Sequence, residues 1–366
     1  MAGNLGDEFS SCLEDEFLND EVFVQIDEAV ECALRRSAQP SSITNPESVN
    51  GDIGTSTNPL GKFRGHLGYV SVTDLVSQYW CEQQMEYGYS CAELLPEKTP
   101  THIQQGADIH MAKELELYDV VPISIKTKED KWAVVCLNFL NQLSALDACQ
   151  TVRELPVFGE PYGMGLFVYG IIDELRFNSK RKLEILEVKT RSSEYGSKPP
   201  SKAQQNKNSL QVLIYYKMFN DLISGKIKSK QFLKFLKLSG SKLLSEEPIA
   251  VAKGYGIDCK NMDDLTEILF KRLQISDLPK IESIAIEYIS QQDCSVLRRC
   301  DIPVDEGWLE SQFNRLSTYW TGYRTTMGVD IEEAWKCHRC DFVDICEWRK
   351  TKEQECRMRN KRKAEK

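Results

Sequence analysis

The sequence predicts an α/β fold with a small central mixed sheet flanked by helices. Three observations carry this. Apolar residues recur at helical spacing from residue 71 to about 145, form strand-like runs between 152 and 190, and return to helical spacing from 210 onward. The strand tracts are separated by turn chemistry, Gly159-Glu160-Pro161-Tyr162-Gly163 and Asn178-Ser179-Lys180. The resulting order, helices then a meander then helices, is that of a sheet covered by helices, and no internal repeat competes with it.

Each element follows from its own pattern. Val72, Leu75, Val76 and Tyr79 share one face of a first helix that ends at Trp80-Cys81. A second helix is expected over residues 101–117, with Ile103, Ala107, His110, Met111, Glu114 and Leu115, and a third over 132–145. Strands are expected at 152–157, 166–177 and 182–190. A polar loop at 192–208 precedes an apolar helix at 210–222; a further strand fits 281–289, and the remainder reads as mostly helical.

The flanks differ in composition from the body. Residues 1–50 hold 11 acidic against 2 basic residues, which alone equals the net charge of −9. Acidic and apolar residues (Phe9, Leu13, Phe17, Leu18, Val22, Phe23) alternate there, followed by a Ser-, Pro- and Asn-rich linker. We therefore expect an acidic N-terminal region over 1–60, a folded domain over 61–350 and a basic tail over 351–366. The stretch from Lys180 to Lys242 carries 15 basic and four acidic residues, enough to neutralise a phosphate backbone if it forms one surface. Tyr215, Tyr216 and Phe219 lie within it, as stacking platforms or as core.

At 41% hydrophobic and 28% charged, the chain has the composition of a globular domain, without a run long and apolar enough to span a membrane. Its start lacks the basic and apolar parts of a signal peptide and the Arg-rich pattern of a mitochondrial leader, so an intracellular protein is expected. In such a compartment its 13 cysteines point to metal binding rather than disulfides.

Two strands carry the candidate chemistry. The first, Val168-Tyr169-Gly170-Ile171-Ile172-Asp173, is apolar until its carboxylate. The second, Leu183-Glu184-Ile185-Leu186-Glu187-Val188-Lys189, places Glu187 and Lys189 on one face, because side chains two apart on a strand point the same way. Charges on a buried strand need partners or a metal. Asp173 and Glu187 offer hard oxygens suited to Mg²⁺ or Mn²⁺, and Lys189 would stabilise charge developing at phosphorus. The competing reading is an exposed hairpin whose charges serve solubility. Upstream stands Gly106-x-x-x-His110, an imidazole able to join the metal. Downstream stands Gln211-x-x-x-Tyr215, whose i,i+4 spacing puts both side chains on one helix face.

Near the C-terminus, Cys337-x2-Cys340-x5-Cys346 supplies three corners of a metal site. A fourth thiolate from Cys356 would make a local zinc knuckle. From Cys81, or from Cys91, it would close a long loop and suit a [4Fe–4S] cluster.

Taken in order, Gly-x-x-x-His, the strand Asp, Glu-x-Lys and Gln-x-x-x-Tyr resemble the PD-(D/E)XK nuclease superfamily in its RecB-like branch. The cysteine pattern is similar to the iron–sulfur members of that branch, among them the eukaryotic exonuclease V family. The likeness covers residues 69–349, including Val72-Thr73-Asp74-Leu75 before Trp80-Cys81, Ala107-x-Ile109-His110, and Glu332-Glu333-Ala334-Trp335-Lys336-Cys337. A proline lead-in to Asp173 is absent.

The resemblance implies a restriction-endonuclease-like core closed by a four-cysteine cluster. It assigns Asp173 and Glu187 to metal binding with His110 as an added ligand, Lys189 to catalysis, and Gln211 and Tyr215 to orientation of the site and nucleic acid. Cys81, Cys337, Cys340 and Cys346 would hold a structural [4Fe–4S] cluster. The implied activity is Mg²⁺- or Mn²⁺-dependent exonucleolysis of single-stranded DNA from free ends, in DNA repair. The rivals are a non-catalytic iron–sulfur protein that binds single strands and a structure-specific endonuclease; no phosphate-binding ATPase loop is present. A monomer is expected, with no membrane partner, in the nucleus (Lys361-Arg362-Lys363) and cytoplasm. The acidic segment would meet a protein partner such as a single-strand DNA-binding protein.

Overall fold

In the computed structural model the described residues are 58–91, 94, 109, 123–191 and 199–364. The acidic region before residue 58, nearly all of the helix expected at 101–117, and His110 lie outside them.

The described chain enters through helix α1 (Pro59–Arg64), capped by the Asn58 side chain accepting from Gly61 N at 2.7 Å. Strand β1 (Val70–Ser71) runs directly into α2 (Val72–Trp80), where Ser71 and Asp74 form a reciprocal capping box. Asp74 also receives Arg64 in a two-point ion pair and the Tyr89 hydroxyl from α3 (Glu82–Ser90). This buried carboxylate ties the first three helices together. Burial works to raise its pKa, but the Arg64 charge and these hydrogen bonds win and hold it below the ordinary value.

The sheet has six strands: β1, β2 (Thr151–Gly159), β3 (Val168–Phe177), β4 (Leu183–Arg191), β5 (Ser283–Ser290) and β6 (Val296–Asp301). β3 pairs antiparallel with β2 and β4 and parallel with β1; β4 pairs parallel with β5, and β5 antiparallel with β6. The mixed α/β sheet expected from the sequence is present. One side is covered by α4 (Lys128–Cys149) and α5 (Lys202–Ile223), long helices that pack on β2. Trp132, Phe158, Phe167 and Phe232 meet edge-on, tilted or, for Phe158 and Phe167, stacked in the core, with centroids 5.1–6.4 Å apart.

Three expectations change. The polar tract at 192–208 is not loop throughout, because Ser201 caps α5 through Gln204 N and the helix begins at Lys202. β1 escapes sequence reading because two residues carry no period. β6 lies where the sequence predicts helix; its side chains are largely exposed, so it lacks apolar alternation. Pairing with β5 and the Arg299 ion pairs to Glu184 (2.7 Å) and Glu287 (3.2 Å) hold it instead.

Candidate active site

β3 and β4 pair only from Glu174↔Leu186 to Phe177↔Leu183. Beyond that point β4 stays with β5 as far as Arg191, while the start of β3 pairs with β1. The two strands therefore fork. Continuing the register by one step sets Asp173 opposite Glu187, the first pair past the last rung. Where a backbone rung would lie, the Asp173 side chain takes over: Oδ2 accepts from Val188 N at 2.9 Å. Both carboxylates are deeply buried, Asp173 at 7% and Glu187 at 1% exposure.

Lys189 completes the group. Its Nζ lies 3.0 Å from Glu187 Oε1 and donates to Gln211 Oε1 at 2.9 Å; Gln211 Nε2 donates to the Tyr215 hydroxyl at 3.1 Å. Gln211 and Tyr215 sit one turn apart on α5 and face the fork, as their spacing predicts. Gly170 explains how the ring approaches so closely: a Cβ there would lie 2.6 Å from Tyr215 Cε1 and 2.7 Å from a Val72 methyl. Thus Asp173, Glu187, Lys189, Gln211 and Tyr215 are brought together.

Sequence reading missed part of this polar face. Asn208 Nδ2 donates to the Tyr288 hydroxyl at 3.1 Å and Gln204 Nε2 to Asn208 Oδ1 at 2.8 Å. Tyr288 stands beside Lys189 in the β4–β5 register. Positions 204, 208, 211 and 215 form one helical stripe, a signal hidden by treating 192–208 as loop. Of the basic stretch, Lys189 is at the fork and Arg191 lies over the Tyr288 ring at 5.9 Å, while four other lysines pair elsewhere. Lys182 pairs with Glu282, Lys217 and Lys226 with Asp221, and Lys242 with Glu129. Tyr215 and Phe219 are core residues, buried to 2% and 0% exposure, so neither offers a free stacking face.

The cysteines assemble at a second place. Cys81, Cys337, Cys340 and Cys346 line one small cavity, with Lys336, Tyr87, Phe342 and Arg349. Burial, with the other three thiols adding to it, pushes the Cys81 thiol up to about 12. Cys337 and Cys340 are raised as well, burial again being the first cause. Cys91 does not line this cavity, and Cys356 on the C-terminal helix (Glu347–Ala364) lines a neighbouring groove instead.

The two ends of the chain are locked around it by Tyr87 against Phe342 (5.7 Å), Trp80 edge-on to Trp335 (5.6 Å), and Arg324 on Glu82. Among the described residues, no three His, Cys, Asp or Glu side chains form a ready-made site for a single ion.

A family model described as exonuclease V, a 5′ deoxyribonuclease, matches residues 58–184, 177–268 and 257–349. The exonuclease V of Danio rerio is 39% identical over 298 residues, covering 81% of this chain and 74% of the relative. The crystal structure of SSO0001 aligns over 89% of this chain and 96% of its own at 14% identity, with a TM-score of 0.33, too low to carry an argument. The family match takes in the carboxylate fork, Lys189, Gln211 and all four cavity cysteines, and with the Danio rerio relative it shows that the chain belongs to the exonuclease V family of DNA exonucleases.

Proposed function

We propose that this exonuclease depends on a divalent metal, acts on single-stranded DNA from a free end, and is braced by an iron–sulfur cluster. The observation that carries the reading is the convergence of Asp173 and Glu187 at the strand fork. Two hard carboxylates without a protein cage are a donor set that fits Mg²⁺, which keeps waters and shares the oxygens of a substrate phosphate. Bound there, such an ion supplies Lewis acidity and a water of lowered pKa.

The chain's own groups do the rest. The Asp173 carboxylate is fixed by Val188 N, so its second oxygen has a set direction. The Lys189 ammonium, held by Gln211, is pre-aimed at the charge that develops on the phosphoryl oxygens. Burial of the carboxylates supports single-strand action: a phosphodiester must enter a recess to reach them, and a single strand does so without unpairing. The family's description favours action from 5′ ends.

The four thiols suit a [4Fe–4S] cluster because they are arranged around a cavity and come from both ends of the fold. Its role here is structural, with Cys81 joined to Cys337, Cys340 and Cys346. Work in DNA repair within the nucleus fits the basic C-terminal helix, and the acidic segment before residue 58 suits docking on a single-strand DNA-binding protein.

The test is digestion of single strands labelled at either end, linear or circular, with and without Mg²⁺. Linear strands should shorten progressively from an end, and circles should persist. Circles cut as fast as linear strands would favour the endonuclease reading.

A further inference from the structure

Lys336 is a buried lysine, 7% exposed, beside a cavity lined by four thiols. Its Nζ donates to Trp80 O at 3.2 Å, lies 4.4 Å from the Trp80 ring centroid and 5.9 Å from that of Trp335, and pairs with Glu333 Oε2 at 2.8 Å. Trp80 precedes Cys81 and Lys336 precedes Cys337. One ammonium thus joins the two chain segments, 256 residues apart, that bring the thiols together. Burying a lysine between indoles is costly unless an anion repays it. Glu333 answers only in part, since its side chain is 42% exposed and screened by water.

We propose that Lys336 is a positioning residue for the metal cluster and its internal counter-charge. This rests on the iron–sulfur reading. Four thiolates around a dicationic iron–sulfur core leave a net anion, and reduction adds one more negative charge. A desolvated ammonium at the rim offsets that charge, steadies the cluster, and favours its reduced form. Arg349 also lines the cavity and its charge reaches Cys337, but it is exposed, so water screens it more than the buried Lys336.

The signs separate a charge role from a merely structural strut. With the full chain purified anaerobically, iron and sulfide are assayed, the cluster's midpoint potential is titrated, and its bleaching by chelator is timed. Lys336→Met should shift the midpoint to more negative potential and speed bleaching several-fold. Lys336→Arg should restore both. Glu333→Gln, on a partly exposed side chain, should shift the midpoint the opposite way, and Arg349→Gln, on an exposed one, should shift it less than Lys336→Met.

An unchanged midpoint in both Lys336→Met and Glu333→Gln overturns the inference while leaving the cluster standing. If Lys336→Met does not fold, Glu333→Gln decides alone, and no positive shift overturns the inference. Wild-type protein without iron and sulfide removes the cluster reading itself.

Discussion

Asp173 Oδ2 accepts the Val188 amide at 2.9 Å, and so a side chain closes the gap where the β3–β4 backbone pairing stops. The carboxylate proposed to hold the metal is thus also a structural rung. Asp173→Ala removes both roles, whereas Asp173→Asn retains an oxygen able to accept from Val188. We expect Asp173→Asn to lose at least about 10²-fold in cleavage rate while unfolding near the wild-type temperature, and Asp173→Ala to lose stability as well. Activity assays beside thermal unfolding read the two effects apart; equal melting of both variants would remove the structural role.

Gln211 hydrogen-bonds both Lys189 and Tyr215, so its effect on the reaction should pass through the lysine. Gln211→Ala should lower kcat by about 10- to 100-fold with a smaller effect on KM, the range for groups that orient an active-site ligand. Gln211→Glu, which keeps an acceptor for the lysine, should recover part of the loss. A change confined to KM would place Gln211 in substrate binding instead.

Gly170→Ala tests the close approach of Tyr215. The added methyl meets a ring carbon at 2.6 Å and a valine methyl at 2.7 Å, on opposing neighbours with little room to give. Overpacking of this kind costs about 1–3 kcal/mol. Denaturant unfolding measures it, and a neutral result would show that α5 shifts freely against β3.

Acid should loosen the far end of the sheet. Burial acts to raise the Glu184 carboxyl, but hydrogen bonds from Ser283 and Arg176 and the Arg299 charge outweigh it, leaving it below its ordinary 4.5. A carboxyl lowered in the folded state contributes stability above that ordinary value, and loses it as pH falls through the folded one. Unfolding temperature should therefore drop as pH falls below about 4.5, and Glu184→Gln should flatten that limb. The same slope in both proteins would assign acid sensitivity elsewhere, Asp74 being the next candidate.

Much of this was legible in the chain. Glu187-x-Lys189 and Gln211-x-x-x-Tyr215 have spacings that fix a shared face on a strand and on a helix, so the site followed from local geometry. The fork itself was not legible: it depends on β1 and β5 competing for β3 and β4, which only the tertiary pairing decides. Tyr288 entered from a strand some 100 residues beyond Lys189 for the same reason. Closeness in sequence says less about the lysines between 180 and 242: Lys189 reaches the fork, whereas Lys182, Lys217, Lys226 and Lys242 pair with carboxylates away from it. His110, expected as a metal ligand, lies outside the described residues.

The most direct measurement is Mg²⁺-dependent nucleotide release from end-labelled linear single-stranded DNA by wild type and Glu187→Gln. The wild type should digest the strand only when the ion is supplied. The variant, isosteric but without the anionic oxygens, should bind DNA yet stay inactive over the same time. Digestion by Glu187→Gln at the wild-type rate would mean that hydrolysis takes place somewhere other than the fork.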